Sequence, residues 1–291
     1  MADKVGFGDR IKALELVEAG RTAMPRLPLL ARLDGRAFHT LTRGFDRPFD
    51  PDMSSSMVLT AQALVEEFDA VCAYTQSDEI TLAWLEPNLF DGRFQKLTSV
   101  LAGYASVVFA TAISEWKKSA IKQVPCFDCR VWQVPTFQDV IDVFVWREDD
   151  ATKNSITMAA LAHYSHKELH GVDSAAKHEM LFKKGVNWND FPAHFRRGVY
   201  LRRILEDRPL TDAEWLRIPE KKRPPRDLLV RRSRVDVLDM PPIRKYLEAD
   251  RVLLGIKLPE ANDTKYEVLS HKPLRYGKKA EAVLKAKKKA G

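Results

Sequence analysis

Three acidic residues draw attention by their neighbours. Asp34 closes a short apolar run, Leu27 to Leu33, and is followed by Gly35. Asp78 and Glu79 sit in Gln76-Ser77-Asp78-Glu79, between the apolar runs Val71–Tyr74 and Ile80–Trp84. Two carboxylates that face each other repel unless a cation lies between them. Hard oxygen ligands suit Mg²⁺, which keeps waters and takes substrate phosphates as its remaining ligands. Two such ions can activate an attacking hydroxyl and stabilise a leaving phosphate. In Asp34-Gly35-Arg36-Ala37-Phe38-His39 the glycine suits backbone amides turned towards a triphosphate. Arg43 and Arg47 follow, within reach for charge-assisted phosphate contacts. Either feature alone is an ordinary turn or a solvated hairpin tip. Together on one sheet edge they point to a metal-dependent nucleotidyl site.

The elements that would bring them together can be read from hydrophobic spacing. Leu27–Leu33 reads as a buried strand that stops at the Asp-Gly turn. Pro51-Asp52 offers a helix start, and Met57, Ala61, Leu64, Val65 and Phe68 follow at helical spacing. The two apolar runs around Gln76–Glu79 read as a hairpin with an acidic tip. Phe94 to Trp116 reads as a long apolar helix, and Cys129 to Val134 as a fourth strand. The order strand, helix, strand, strand, helix, strand is the split βαβ arrangement of ferredoxin-like sheets, an α/β (α+β) class. In it the first strand is central, so Asp34 and Asp78 can converge at one end of the sheet. Beyond this, a weak helix is expected over Ile11–Val17, and further helices over Phe137–Trp146 and Ile156–Leu169. Gly185–Phe195 reads as a structured loop. Arg217–Arg234, with eight Lys/Arg and two acids, reads as an exposed basic loop, and Pro241-Pro242 as a break.

Charge divides the 291-residue chain. Residues 1–150 hold 16 Lys/Arg against 22 Asp/Glu, and residues 151–291 hold 31 against 18. An acidic half joined to a basic half suits catalytic or metal chemistry in one and a polyanion grip in the other. The division expected is a catalytic core over 1–135, completed by a helical and basic part over 136–291 that holds nucleic acid. Hydrophobic residues at 45% exclude a wholly disordered or collagen-like chain. The run Val100–Ile113 is too short to span a bilayer. The N-terminus lacks the apolar stretch of a signal peptide. Three cysteines, Cys72, Cys126 and Cys129, cannot build a disulfide framework, so a soluble protein of a reducing, cytoplasmic compartment is expected.

Six segments then match one family in order. Asp34–His39 resembles the first metal-binding motif of the tRNA-histidine guanylyltransferases and their relatives, the 3′-to-5′ RNA polymerases. Phe45-Asp46-Arg47-Pro48 resembles the family's Phe-Glu-Lys-Pro, and Tyr74–Glu79 its Tyr-Gly-Gln-Ser-Asp-Glu. Phe127-Asp128-Cys129-Arg130-Val131 resembles Phe-Asp-Gly-Arg-Val. Lys177–Phe182 resembles Lys-Asn-Glu-Ile-Leu-Phe, and Arg196-Arg197-Gly198 resembles Arg-Lys-Gly. The matches run from about Asp34 to Gly198.

The resemblance implies a palm-type polymerase domain that uses two Mg²⁺ ions. Asp34 and Asp78 would bridge the metals with help from the Gly35 carbonyl, and Glu79 would support them. Gly35, Arg36, Ala37, Phe38, His39 and Ser77 would contact the nucleotide. Arg47 stands where the family has a triphosphate-binding lysine. Arg130, Asn154, Lys177, Arg196 and Arg197 would contact tRNA. The implied reaction adds a nucleotide to an RNA 5′ end: the 3′-hydroxyl of an incoming ATP, GTP or other nucleoside triphosphate attacks the activated end. A 5′ monophosphate must first be activated with ATP. Relatives assemble as tetramers, so a homo-oligomer is expected. The family's His-Ile-Asn-Asn-Leu-Tyr-Asn stretch is replaced here by Thr152–Met158, in which only Asn154 matches clearly. That departure favours the guanylyltransferase-like branch, which repairs truncated tRNA 5′ ends against a template strand. A palm-domain nucleotide cyclase and an inactive tRNA-binding protein are the alternatives. The retained Asp34, Asp78 and Glu79 weigh against the latter, since a binding module gains nothing from carboxylates near a polyanion.

Other features read more plainly. Cys126-x-x-Cys129 lacks the two further ligands that zinc needs. His163, His166 and His170 would share one helix face, most simply a polar one. Lys183-Lys184 and Trp188 suit RNA backbone and base stacking, while Trp188 equally suits a core anchor. The run Lys278–Lys289, with six lysines, is either a non-specific RNA contact or a solvated end.

Overall fold

The computed structural model describes residues 6–117, 123–245 and 249–255. From the N-terminus, α1 (Phe7–Ala19) precedes β1 (Leu29–Gly35), the single turn α2 (Phe38–Leu41) and α3 (Pro51–Phe68). The hairpin β2 (Cys72–Gln76) and β3 (Glu79–Trp84) leads to α4 (Phe94–Lys117) and β4 (Phe127–Gln133). Then come α5 (Phe137–Leu161), α6 (Ser174–Lys183), α7 (Ala193–Arg197), β5 (Val199–Pro209), α8 (Asp212–Arg217), β6 (Leu229–Leu238) and α9 (Ala249–Leu254).

The six strands form one antiparallel sheet in the order β4-β1-β3-β2-β5-β6. The first four carry the split βαβ order expected. Both faces of β1, β2 and β3 are covered, which is why these strands read as continuous apolar runs rather than alternating ones. Leu29, Ala31 and Leu33 turn towards α3 and α4, where they meet Met57, Leu64, Leu101 and Phe109. Leu30, Cys72, Tyr74 and Ala83 turn the other way, to Val140 and Phe144 of α5. Helix α3 starts where expected because Asp50 caps it, accepting from the amides of Asp52 and Met53 at 3.0 Å, with Pro51 at the first helical position. Helix α4 is long and apolar enough to cross a membrane by length and composition, which the reading of Val100–Ile113 did not anticipate. Its stripe Leu97, Leu101, Ala105, Phe109 and Ile113 is fully buried in the core. Helix α1 buries none of its residues.

Four expectations are corrected. Phe137–Trp146 and Ile156–Leu169 are not two helices: α5 runs unbroken to Leu161 and ends there. The acidic stretch between them stays helical because Glu148 is buried and accepts hydrogen bonds from Tyr200 Oη at 2.9 Å and Ile243 N at 3.0 Å. After Leu161 the chain turns, with Ser165 N and Oγ both donating to Glu168, so His163, His166 and His170 lie on no helix face. Arg217–Arg234 is not one loop, since Leu229 onwards is strand β6. Its strand character was hidden by charge: arginines of β6 pair across the ladder with acids of β5, as Arg231 with Asp207 at 3.1 Å and Arg234 with Glu206 at 3.2 Å. The part after residue 135 is therefore not only helical; it extends the same sheet beyond β2. The run Lys278–Lys289 lies outside the described residues.

The segment Gly185–Phe195 is held by Trp188. Its side chain is buried, Nε1 donates to Ser155 Oγ at 3.1 Å, and Arg196 lies over the ring at 5.4 Å. The core-anchor reading holds, and Trp188 is not a base platform. Trp188→Ala should therefore cost about 3–5 kcal/mol of unfolding free energy. Trp188→Phe, which keeps most of the volume and loses the hydrogen bond, should cost roughly 1–2 kcal/mol. Urea denaturation of both variants checks this, and two unchanged midpoints would refute the anchor.

Candidate active site

The register of three strands builds the site. Asp34 pairs with Glu79 across β1 and β3, and with Asp128 across β1 and β4. Directly paired residues point to the same face of a sheet, so this end of the sheet carries a row of three carboxylates on the face towards α5. Asp78 sits just beyond, in the tight β2–β3 turn, and its carbonyl accepts from Gly35 N at 3.0 Å. That bond ties the Asp34-Gly35 turn to the hairpin tip. Only glycine fits there: a Cβ on Gly35 would lie 2.5 Å from the Phe38 ring. Phe38 in turn packs on Phe109 and Phe127, with ring centroids 5.1 and 5.0 Å away. The backbone then bends sharply, with Ala37 in the left-handed region at φ 56°. An alanine there costs roughly 1–2 kcal/mol, and the bend turns the chain into α2.

Electrostatics separate the acids. Burial pushes the Asp78 carboxyl above the ordinary range, and the negative charge of Asp34 adds to it. Burial also raises Glu79, against the pull of Arg147 and Arg32. Arg147 of α5 holds Glu79 with two bonds: Nε to Oε1 at 2.6 Å and Nη2 to Oε2 at 2.9 Å. Nη2 also reaches Asp150 at 3.1 Å. Glu79 is thus a clamped acid, while Asp34 and Asp78 repel each other; a Ser77 hydrogen bond and nearby His39 ease Asp78 in part, and among the described residues no Lys or Arg forms an ion pair with either. Sequence reasoning missed Arg147, Arg32 and Asp128. Nothing local marks the two arginines, but Asp128 was available from the alternation of Phe127, Asp128, Cys129 and Arg130.

A cleft of about 240 Å³ opens beside Asp78. Ser77, His39 and Arg47 are among its polar lining, and Phe49, Met158 and Phe195 among its apolar lining. Four predicted residues therefore line the cleft with Asp78: Ser77 from its own turn, and Phe38, His39 and Arg47 from the segment after β1. The Arg47 loop is fixed from below by Asp50, which accepts from Asp46 N at 3.1 Å and from Lys117 Nζ at 2.9 Å. Gly35 and Ala37 shape the turn through backbone alone, and Arg36 is exposed with its amide donating to Cys126 O at 2.8 Å.

The residues expected to hold tRNA divide. Arg130 is exposed on β4 and Asn154 is exposed on α5, bonded to Asp150 at 3.3 Å. Lys177 Nζ donates to Thr157 at 3.1 Å. Arg196 Nε donates to Phe191 O at 2.7 Å, and the Arg197 guanidinium to Met240 O at 3.2 Å. These last two clasp the fold together. Cys126 is exposed, while Cys72 and Cys129 are buried thiols pushed up to about 12 by burial. Among the described residues no group of three or more His, Cys, Asp or Glu is placed to hold a metal, so neither the cysteines nor the histidines form a zinc site.

Asp34 and Asp78 fit Mg²⁺ on these grounds. They are hard oxygen donors, among the described residues no Lys or Arg pairs with either, and they are two rather than three or more. Mg²⁺ is typically held by one or two carboxylates and completes its shell with waters and phosphates. The raised carboxyls have a consequence for stability. An acid raised in the folded state stabilises the fold fully below its unfolded value and less as pH rises through the folded one. In chelator, unfolding free energy should therefore fall as pH rises through the raised values of Asp78 and Glu79. Asp78→Asn should flatten that fall, and Mg²⁺ should offset it in the parent protein. Denaturant unfolding between pH 4 and 8 measures it, and identical curves for parent and variant would contradict the assignment.

Similarities to known proteins agree with this geometry. The family model described as tRNAHis guanylyltransferase matches residues 8–135. A probable tRNA(His) guanylyltransferase of Drosophila melanogaster is 31% identical over 209 residues, covering 67% of this chain and 73% of that protein. The tRNA(His) guanylyltransferase of Debaryomyces hansenii is 30% identical over 215 residues, covering 67% and 80%. Among solved structures, a bacterial tRNA(His) guanylyltransferase-like protein in complex with ATP superposes with a TM-score of 0.63 at 33% identity, covering 68% of this chain and 88% of that one. Another, in complex with GTP, gives 0.62 at 27% identity, covering 86% and 98%.

Proposed function

The chain belongs to the tRNA(His) guanylyltransferase family of nucleotidyltransferases, and from that premise we propose that it adds nucleotides in the 3′-to-5′ direction to the 5′ end of a tRNA, with Mg²⁺. The observation that carries this is the convergence of Asp34, Asp78, Ser77, His39 and Arg47 on one sheet end and its adjoining cleft. Relatives of the fold bind ATP and GTP, and the cleft has the two characters that such ligands need. Its polar lining, with His39, Arg47 and Ser77, suits a triphosphate. Its apolar lining, with Phe49, Met158 and Phe195, suits a base.

Asp34 and Asp78 would hold the metal, and Gly35 would contribute through its backbone. Bound there, Mg²⁺ supplies charge for the triphosphate and lowers the pKa of the attacking hydroxyl. The chain's own residues do the rest. Arg147 fixes Glu79 beside the metal-binding pair by bonding both its oxygens. Asp50 and Lys117 fix the loop that presents Arg47. Positioning of this kind is the larger part of catalysis in phosphoryl transfer.

The acceptor is a tRNA whose 5′ end lacks a nucleotide: tRNA(His) before guanylate addition, or a truncated tRNA. Met158 ends the stretch Thr152–Met158 that departs from the dedicated guanylyltransferases, and it lines the cleft itself. This supports end repair over guanylate addition alone. The test uses a 5′-triphosphorylated tRNA lacking its first nucleotide, Mg²⁺ and each nucleoside triphosphate in turn, with products resolved by length. Extension by one nucleotide is expected, and a 5′-monophosphorylated tRNA should require ATP as well. Asp34→Ala and Asp78→Ala should each lower the rate by at least about 10³-fold, as for loss of a principal transition-state contact, with tRNA affinity kept. Full activity in both variants would refute the metal site. Consumption of a single nucleoside triphosphate without RNA would indicate a cyclase instead.

A further inference from the structure

The row of carboxylates has a counterpart one rung along the sheet. Arg32 pairs directly with Arg130 across β1 and β4, and with Thr81 across β1 and β3. This rung lies on the same face as Asp34, about 7 Å along the strand. Two arginines directly opposite each other on one face repel, as the acids do. Arg130 is exposed and has no acidic partner among the described residues. Arg32 Nε stands 3.9 Å from Glu79 Oε2, an ion-pair distance without a hydrogen bond, while both Glu79 oxygens bond Arg147. Arg32 Nε and Thr81 Oγ1 are buried polar atoms without a hydrogen-bond partner, and both belong to this rung. The chain itself thus leaves two polar atoms of this rung unsatisfied, and of its residues Arg130 and the partly exposed Arg32 reach solvent while Thr81 is fully buried.

An aromatic surface stands beside it. Trp146 of α5 is 54% exposed although it is a large apolar side chain. The Arg147 guanidinium lies 4.4 Å from its ring centroid and that of Arg32 5.7 Å. Two arginines thus fix the ring in place while more than half of it faces solvent. Paired cations beside an aromatic plate match a phosphorylated nucleotide: phosphate on the guanidiniums, base on the indole.

We propose that Arg32, Arg130 and Trp146 form the subsite for the 5′ end of the acceptor RNA, with its phosphates on the arginines and its first base stacked on Trp146. This rests on the function proposed above and assigns the second substrate a place. The incoming triphosphate has its own cleft beside Asp78, which includes none of these three residues. The rung lies at the rim of the sheet, on its outermost strand β4 and its neighbour, where a large polynucleotide can approach. It also adjoins Asp34, so an end bound there is presented to the carboxylate row.

The experiment uses the full chain and a 5′-triphosphorylated RNA hairpin with 2-aminopurine as its first nucleotide. Stacking on Trp146 should quench its fluorescence. Trp146→Ala should abolish the quench and Trp146→Phe should keep part of it, with melting temperatures near the parent's because the side chain is mostly exposed. In steady-state addition, Trp146→Ala should raise the KM for RNA about 10-fold, in the range measured for loss of one base stack, and leave the KM for GTP unchanged. Arg130→Ala should lower the slope of log affinity against log salt by about one. A quench that persists in Trp146→Ala, with an unchanged RNA KM, would overturn the proposal. So would an equal quench of free 2-aminopurine riboside triphosphate that excess RNA fails to displace, since the occupant would then be a mononucleotide. The two readings fail separately. A parent protein that quenches but adds no nucleotide refutes the reaction and leaves the subsite standing. A parent that adds nucleotides, with Trp146→Ala matching it in quench and KM, refutes the subsite alone.

Discussion

Everything at this site depends on like charges held side by side by strand register. The pairing of β1 with β3 and β4 fixes Asp34 opposite Glu79 and Asp128, and the Gly35–Asp78 backbone bond brings a further carboxylate to the same end. A fold gains nothing from such a row on its own; it gains only when a cation arrives. The rest of the architecture keeps the row in place. A register slip of one residue is disfavoured because it would turn the charged Arg32 and Asp34 into the apolar layer that Leu29, Ala31 and Leu33 share with α3 and α4. Arg147 reaches from α5 to neutralise Glu79. The pair Asp34 and Asp78 is left without a Lys or Arg partner among the described residues.

The next rung repeats the logic with the opposite sign. Arg32 and Arg130 face one another much as Asp34 and Asp128 do. A sheet end with a cation-seeking row followed by an anion-seeking row is suited to bring two polyanionic substrates together. The nucleoside triphosphate enters by the cleft beside Asp78 and the RNA end by the rim of β4. Helix α5 serves both sites, since Arg147, Trp146 and Met158 lie within a single unbroken helix. That continuity is why the acidic stretch around Glu148 matters: its buried hydrogen bonds to Tyr200 and Ile243 keep the two ends of the helix in one rigid element.

Much of this was legible in the residues themselves. The strand Leu29–Gly35, the helix from Pro51 and the hairpin around Asp78 announce themselves through strong local signals: a buried apolar run, a capped proline start, an acidic tip between apolar runs. Their order was enough to place Asp34 near Asp78. What was not legible shares one cause, which is that the deciding interaction is long-range. Arg147 reaches Glu79 across 68 residues of sequence. Strand β6 is so rich in arginine that only its ladder partners on β5 reveal it as a strand. Arg196 and Arg197 look like a nucleic-acid contact, yet their guanidiniums bond to backbone carbonyls inside the fold. Charge in sequence does not tell whether a side chain will meet a ligand or its own chain.

In the proposed site Asp34 and Asp78 together hold a divalent cation with the triphosphate of an incoming nucleotide. Crystals grown with GTP and Mn²⁺, recorded for manganese anomalous scattering, would show whether they do. Anomalous density is expected within bonding distance of both carboxylates and of triphosphate oxygens, and none in crystals of Asp78→Asn. Triphosphate bound in the cleft with no anomalous density at Asp34 and Asp78 would contradict it.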